Sequence, residues 1–145
     1  GNALSDQAKA KSGVEADRLF GDADEKYAAA LKIKPDFHEA LSNWGSALLV
    51  QATTKSGAEA ARLLEEAQQR LERADALAPG KGAYNLACVA ALRGKAQEAR
   101  DYLSRCVELR TLPTRAHLEA DPDLDSLRQE PWFETILRAA DDQSR

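Results

Sequence analysis

Residues 36–79 read DFHEALSNWGSALLVQATTKSGAEAARLLEEAQQRLERADALAP, and the second part of that stretch is a diverged copy of the chain's own start. Moved along by about 44 residues, ALSDQAKAKSGVEADRLFGDADEKYAAALKIKP (residues 3–35) lands on ALLVQATTKSGAEAARLLEEAQQRLERADALAP (residues 47–79), a period in the range of helical arrays. Leu4, Lys11, Ser12, Gly13, Glu15, Leu19, Ala23, Ala30 and Pro35 recur unchanged as Leu48, Lys55, Ser56, Gly57, Glu59, Leu63, Ala67, Ala74 and Pro79. An internal copy of this length predicts that one supersecondary unit is built more than once.

The unit reads as helical. In the first copy Leu19, Ala23, Tyr27, Ala30 and Leu31 recur every three to four residues, which places them on one helix face. Leu63, Leu64, Ala67, Leu71, Ala74 and Leu77 do the same in the second copy. Ser-Gly-x-Glu opens each run at Ser12 and Ser56, as a capping box would, and Pro35 and Pro79 close them. Uninterrupted helices over 14–33 and 58–78 follow, with Gly21 the weakest position because a mid-helix glycine costs about 1 kcal/mol relative to alanine. Glu66 and Arg70 are spaced to pair on the outer face. The turn around Lys-Ser-Gly serves as a connector, since one glycine and one lysine fall short of a phosphate-binding loop. Further on, 83–92 and 96–109 form the next helix pair. The tail carries a short helix over 114–120, a helix capped by Asp123, and a last one beginning at Pro131 that turns Trp132, Phe133, Ile136 and Leu137 inward.

Composition agrees with an all-α chain. Hydrophobic residues make up 43% of the 145, and Ala and Leu dominate them. A formal net charge of −4 supplies no basic stripe for nucleic acid and no attraction to an anionic membrane surface. No apolar run is long enough to span a bilayer. Cys88 and Cys106 have no metal-type spacing and sit in helical, alanine-rich surroundings, which fits a reduced, cytoplasmic setting. No signal peptide is visible at the start.

These residues resemble the tetratricopeptide repeat family. Leu41-x-x-Trp44-Gly45-x-x-Leu48 is similar to the motif's first helix, and Ala67-x-x-x-Leu71-x-x-Ala74 with Pro79 to its second. Ala23-x-x-x-Tyr27-x-x-Ala30 with Pro35 matches one unit earlier. Ala83-x-x-Leu86-Ala87-x-x-Ala90 and Ala99-x-x-x-Leu103-x-x-Cys106 match one unit later. The departures are a central unit about ten residues longer than the family norm, Ala87 in the usual glycine place, and Thr111 in that of the closing proline. The resemblance implies a right-handed α-solenoid of antiparallel helix pairs within one domain: a truncated first repeat (1–35), a long second (36–79), a third (80–112) and a terminal cap (113–145). It implies bacterial-type arrays, whose closing segment DPDLDSLRQEPWFETIL resembles. It further implies a non-catalytic scaffold that takes a protein or peptide in a concave groove lined by Ser42, Asn43, Ser46, Lys81, Tyr84, Asn85 and Cys88. The alternative is a structural, self-assembling segment of a larger protein, pairing through an edge where Leu4, Leu19 and Phe20 would be uncovered.

No catalytic chemistry emerges beside this. Asp121-x-Asp123-x-Asp125 lacks the glycine and terminal glutamate of a calcium loop. His38 and His117 have no ligand spacing, and no nucleophile motif or paired carboxylates stand out. The chain is therefore read as no enzyme, with no cofactor and no metal.

Overall fold

The computed structural model describes residues 13–80 and 82–144, and all regular structure among them is helical. In chain order the elements are α1 (Gly13–Ile33), α2 (His38–Ala52), α3 (Gly57–Leu77), α4 (Ala83–Leu92), α5 (Ala96–Leu109), α6 (Arg115–Ala120), a 3-10 helix (Pro122–Leu127) and α7 (Pro131–Gln143). No helix among the described residues is long and apolar enough to cross a membrane. The chain divides into two compact units, one ending at Ala78 and the other beginning at Pro79.

In the first unit, α2 packs against both α1 and α3. The helices α1 and α3 are each 21 residues long, and their ends fall at matching places in the two sequence copies. Gly21 does not interrupt α1: it is exposed, and a Cβ there would meet nothing within 4 Å. The apolar stripes turn inward as their spacing predicts, with Leu19, Ala23 and Tyr27 buried on α1 and Leu63, Leu64, Ala67, Leu71 and Ala74 on α3. The closest approach is between α2 and α3. A Cβ built at Gly45 would lie 2.5 Å from Leu71 Cγ and 3.3 Å from the Ala67 carbonyl oxygen, so only a residue without a side chain fits.

Three local expectations give way here. Ser56 occupies the N-cap position of α3, but its side chain makes no capping bond, and the chain enters through Gly57 at a left-handed φ of 58°. The matching box at Ser12 lies outside the described residues. Glu66 bonds Arg62 at 3.5 Å instead of Arg70, because Arg70 lies over the Trp44 ring, 4.3 Å from its centroid. Leu19 and Phe20, expected at an uncovered edge, are buried, Phe20 to 1% exposure, with Val50 packed on them. Leu4 lies outside the described residues.

In the second unit α4 and α5 form the helix pair, with Leu86, Ala87, Val89 and Ala90 of α4 and Ala99, Leu103 and Cys106 of α5 buried in the interior. The helix α5 ends at Arg110 in the left-handed conformation (φ 57°), and the Thr111 amide reaches back to the Cys106 carbonyl at 2.9 Å, as helix ends of this kind do. The tail then folds back on the pair. The 3-10 helix packs on α4, and α7 packs on α5 and α6. Leu118, Leu124, Leu127, Phe133, Ile136, Leu137 and Ala140 are its buried side. Trp132, expected inward, is only half-buried and lies against Arg100 at 5.8 Å. The expected cap shifts by two residues: Asp121, not Asp123, caps the short helix by accepting the Asp123 amide at 3.0 Å, and the element is 3-10 rather than α. Arg115 bonds Asp141 at 2.8 Å and Glu134 at 3.3 Å, tying α6 to α7. Gln143 pairs with both the amide and the carbonyl of Leu112, at 3.1 and 2.9 Å.

Two glycine substitutions separate packing from propensity. Gly45→Ala is expected to destabilise the fold by about 1–3 kcal/mol, the range for overpacking a tight contact. Gly21→Ala is expected to stabilise it by about 0.5–1 kcal/mol, because it adds helix propensity without a clash. Urea denaturation followed by circular dichroism measures both, and a neutral Gly45→Ala would mean that α2 and α3 do not need their close approach.

Candidate functional site

On α2, Ser42, Asn43 and Ser46 are half-buried. Their spacing sets them side by side on one helix face. Asn43 opens into a cleft of about 220 Å3 between α1 and α2. Tyr27, Ala30, Phe37 and Ala40 give the cleft an apolar lining, and Lys26, Glu39 and Asn43 give it polar edges. Such a lining suits an apolar side chain whose backbone meets an amide, since Asn offers both a donor and an acceptor.

Trp44, next along α2, is held from several sides. Its Nε1–H donates to Asp24 Oδ1 at 2.9 Å, its ring stacks with Tyr27 at 6.3 Å between centroids, and Arg70 covers it. Burial raises the Asp24 carboxyl above its ordinary range, and the bond from Trp44 pulls the other way. The indole is thereby fixed in orientation by groups from α1 and α3.

In the second unit, Tyr84 and Asn85 are half-buried on α4, whereas Cys88 is 1% exposed. Lys81 lies outside the described residues. Tyr84 and Cys88 both face the tail. The Tyr84 hydroxyl donates to Asp121 Oδ2 at 2.5 Å, the Cys88 thiol approaches the same oxygen at 3.8 Å, and His117 Nε2 stands 3.5 Å from it. The His117 ring meets Tyr84 edge-on at 5.6 Å. Asp121 is itself held from behind, because Arg128 donates to its carbonyl at 2.7 Å. Cys88 therefore has almost no surface to offer a ligand, and the Tyr84 hydroxyl is engaged by the tail. Nothing in the spacing of Asp121 announced this: the Asp-x-Asp-x-Asp run reads as capping, and the pairing with α4 spans more than thirty positions of chain.

Cys88, Asp121 and Asp123 also bring one ligand-type atom each within 4.8 Å of one another. Asp121, however, already receives Tyr84, Cys88 and the Asp123 amide, so the arrangement works as a hydrogen-bonded latch between α4 and the tail. Burial, first of all, raises the pKa of both the Cys88 thiol and the Tyr84 phenol, with the nearby carboxylates adding to it. Both groups stay protonated at neutral pH, and a protonated, buried thiol is a poor nucleophile.

The sign of the resulting pH dependence is fixed. In the unfolded chain Cys88 ionises near its ordinary value of 9.0 and Tyr84 near 10.0, while in the folded chain both keep their protons to higher pH. The folded state then binds more protons, so stability falls as pH rises above about 9 and is unaffected by these groups below it. Above its ordinary value, Cys88 contributes at most about 1.4 kcal/mol of lost stability per pH unit. Urea midpoints between pH 7 and 11 should show a shallower fall in Cys88→Ala than in the parent; parallel curves would exclude the buried thiol as a cause.

Compared with family models, with curated proteins and with solved structures, the chain finds no match.

Proposed function

We propose that the chain is a non-catalytic protein- or peptide-binding scaffold, built from tetratricopeptide-like helix pairs arranged as a right-handed α-solenoid. The observation that carries this reading is the cleft at Asn43, an apolar trough with polar edges beside the half-buried Ser42 and Ser46. The packing supports it. The helices α1 and α3 have equal length and matching buried positions, and α2 closes on α3 through Gly45, where the tetratricopeptide motif also carries glycine. Asn85 on α4 is the proposed contact in the second unit, and Lys81, which lies outside the described residues, is the proposed cationic residue. Cys88 supports that surface from the interior. Two buried thiols that form no disulfide among the described residues, Cys88 and Cys106, go with a reducing, cytoplasmic setting.

Selection of binders from a displayed random-peptide library, followed by titration, tests the proposal. Asn43→Ala and Asn85→Ala should each weaken a selected peptide by about 2- to 13-fold, the loss of one neutral hydrogen bond. Glu65→Ala, at an exposed position of α3, should change nothing. Selected peptides indifferent to both asparagines would remove the groove from consideration. A library that yields no binders, with a mass that grows with concentration in sedimentation, would favour the self-assembling segment.

A further inference from the structure

The first unit holds a second pocket, which shares no lining residue with the cleft at Asn43. It encloses about 410 Å3. Leu31, Pro35, Leu41 and Trp44 form its apolar wall, and Arg70 and Arg73 stand along α3. The two arginines are one helical turn apart, so they belong to one face.

Two features give the pocket a chemical preference. The Trp44 ring is already oriented by its bond to Asp24 and by Arg70, so an incoming side chain meets a fixed surface and loses little freedom in ordering it. The arginine charge is also available. Arg73 is exposed and forms no ion pair or hydrogen bond among the described residues, and Arg70 rests on the indole without a salt bridge. Of the carboxylates around Arg70, Asp24, which also feels the Arg70 charge, receives the Trp44 N–H, and Glu66 pairs with Arg62. A guanidinium presents a planar fork that fits a carboxylate with two parallel bonds. The chain as a whole carries −4, so this cationic spot would fix where and in what register an acidic partner settles.

We propose that this pocket docks an acidic peptide segment in which a large apolar residue stands next to a glutamate or aspartate. The apolar side chain lies against Leu41 and Trp44, and the neighbouring carboxylate bonds Arg73, with Arg70 behind it. This docking does not depend on the cleft at Asn43.

The test uses the full chain with Trp132→Phe, which leaves Trp44 as the only indole of the two in the sequence. The probe is an acetylated, amidated hexapeptide with one phenylalanine flanked by glutamates. A saturable change in Trp44 emission is expected, together with its loss for the same peptide carrying glutamine in place of glutamate. Arg73→Gln should weaken binding by about two- to fivefold, as for an exposed ion pair, and reduce its salt sensitivity. Asn43→Ala should leave it unchanged, which separates this pocket from the cleft. Three results would overturn the proposal: no saturable change, equal binding of the glutamine peptide, or indifference to Arg73→Gln. A concentration-dependent dimer that Arg73→Gln dissolves would also overturn it, by making a second copy of the chain the occupant.

Discussion

The first unit depends on one short distance. Where α2 crosses α3, the missing side chain of Gly45 lets the backbone come down onto Leu71 and the Ala67 carbonyl. Everything nearby follows from that approach. Ala67, Leu71 and Ala74 are fully buried because the helices leave no gap above them. Trp44, adjacent to the glycine, is brought near enough to α3 for Arg70 to lie across its ring, and near enough to α1 for Asp24 to receive its N–H. Close packing of small against large residues, rather than any exposed ion pair, accounts for most of the stability here, since single surface pairs are worth little.

The second unit solves a different problem with a polar device. Its helix pair has Ala87 in place of the glycine, and the pair is covered by a tail of short elements. A short helix has little stability of its own. Side chains hold it instead: Asp121 takes Tyr84 and Cys88, Arg128 takes the carbonyls of Leu118 and Asp121, and Arg115 joins α6 to α7. Among the described side chains of the tail, no buried nitrogen or oxygen lacks a hydrogen-bond partner, and the largely covered Asp121 carboxylate receives Tyr84, Cys88 and the Asp123 amide.

Helices were legible in the sequence wherever one rule acted alone. The apolar spacing of Leu19, Ala23 and Tyr27 and the stops at Pro35 and Pro79 placed α1 and α3 within a residue of their observed ends. Pro131 marked the start of α7 for the same reason. Legibility failed where two rules competed. Ser56 has the right chemistry for a cap, but Gly57 enters at positive φ and the bond is not made. Arg70 has the right spacing for Glu66, but an aromatic face from another helix lies nearer. At the candidate site, Ser42, Asn43 and Ser46 could be placed on α2 because they are local to one helix. The engagement of Tyr84 and Cys88 by Asp121 could not, because it joins distant segments and no spacing rule describes it.

The matched lengths of α1 and α3 carry a consequence for how the chain folds. Both helices present small and large apolar residues in the same order, and α2 binds both. During folding, α2 therefore meets two nearly equivalent suitors, and pairing with the wrong one buries much of the same surface. Such near-degeneracy roughens a folding landscape and invites exchange of helices between molecules. The differences between the copies are what break the tie. Leu71 fits over Gly45 and Tyr27 stacks on Trp44, so each helix has a seat that the other fills badly. Divergence between the copies thus acts as an error-correcting feature of the sequence.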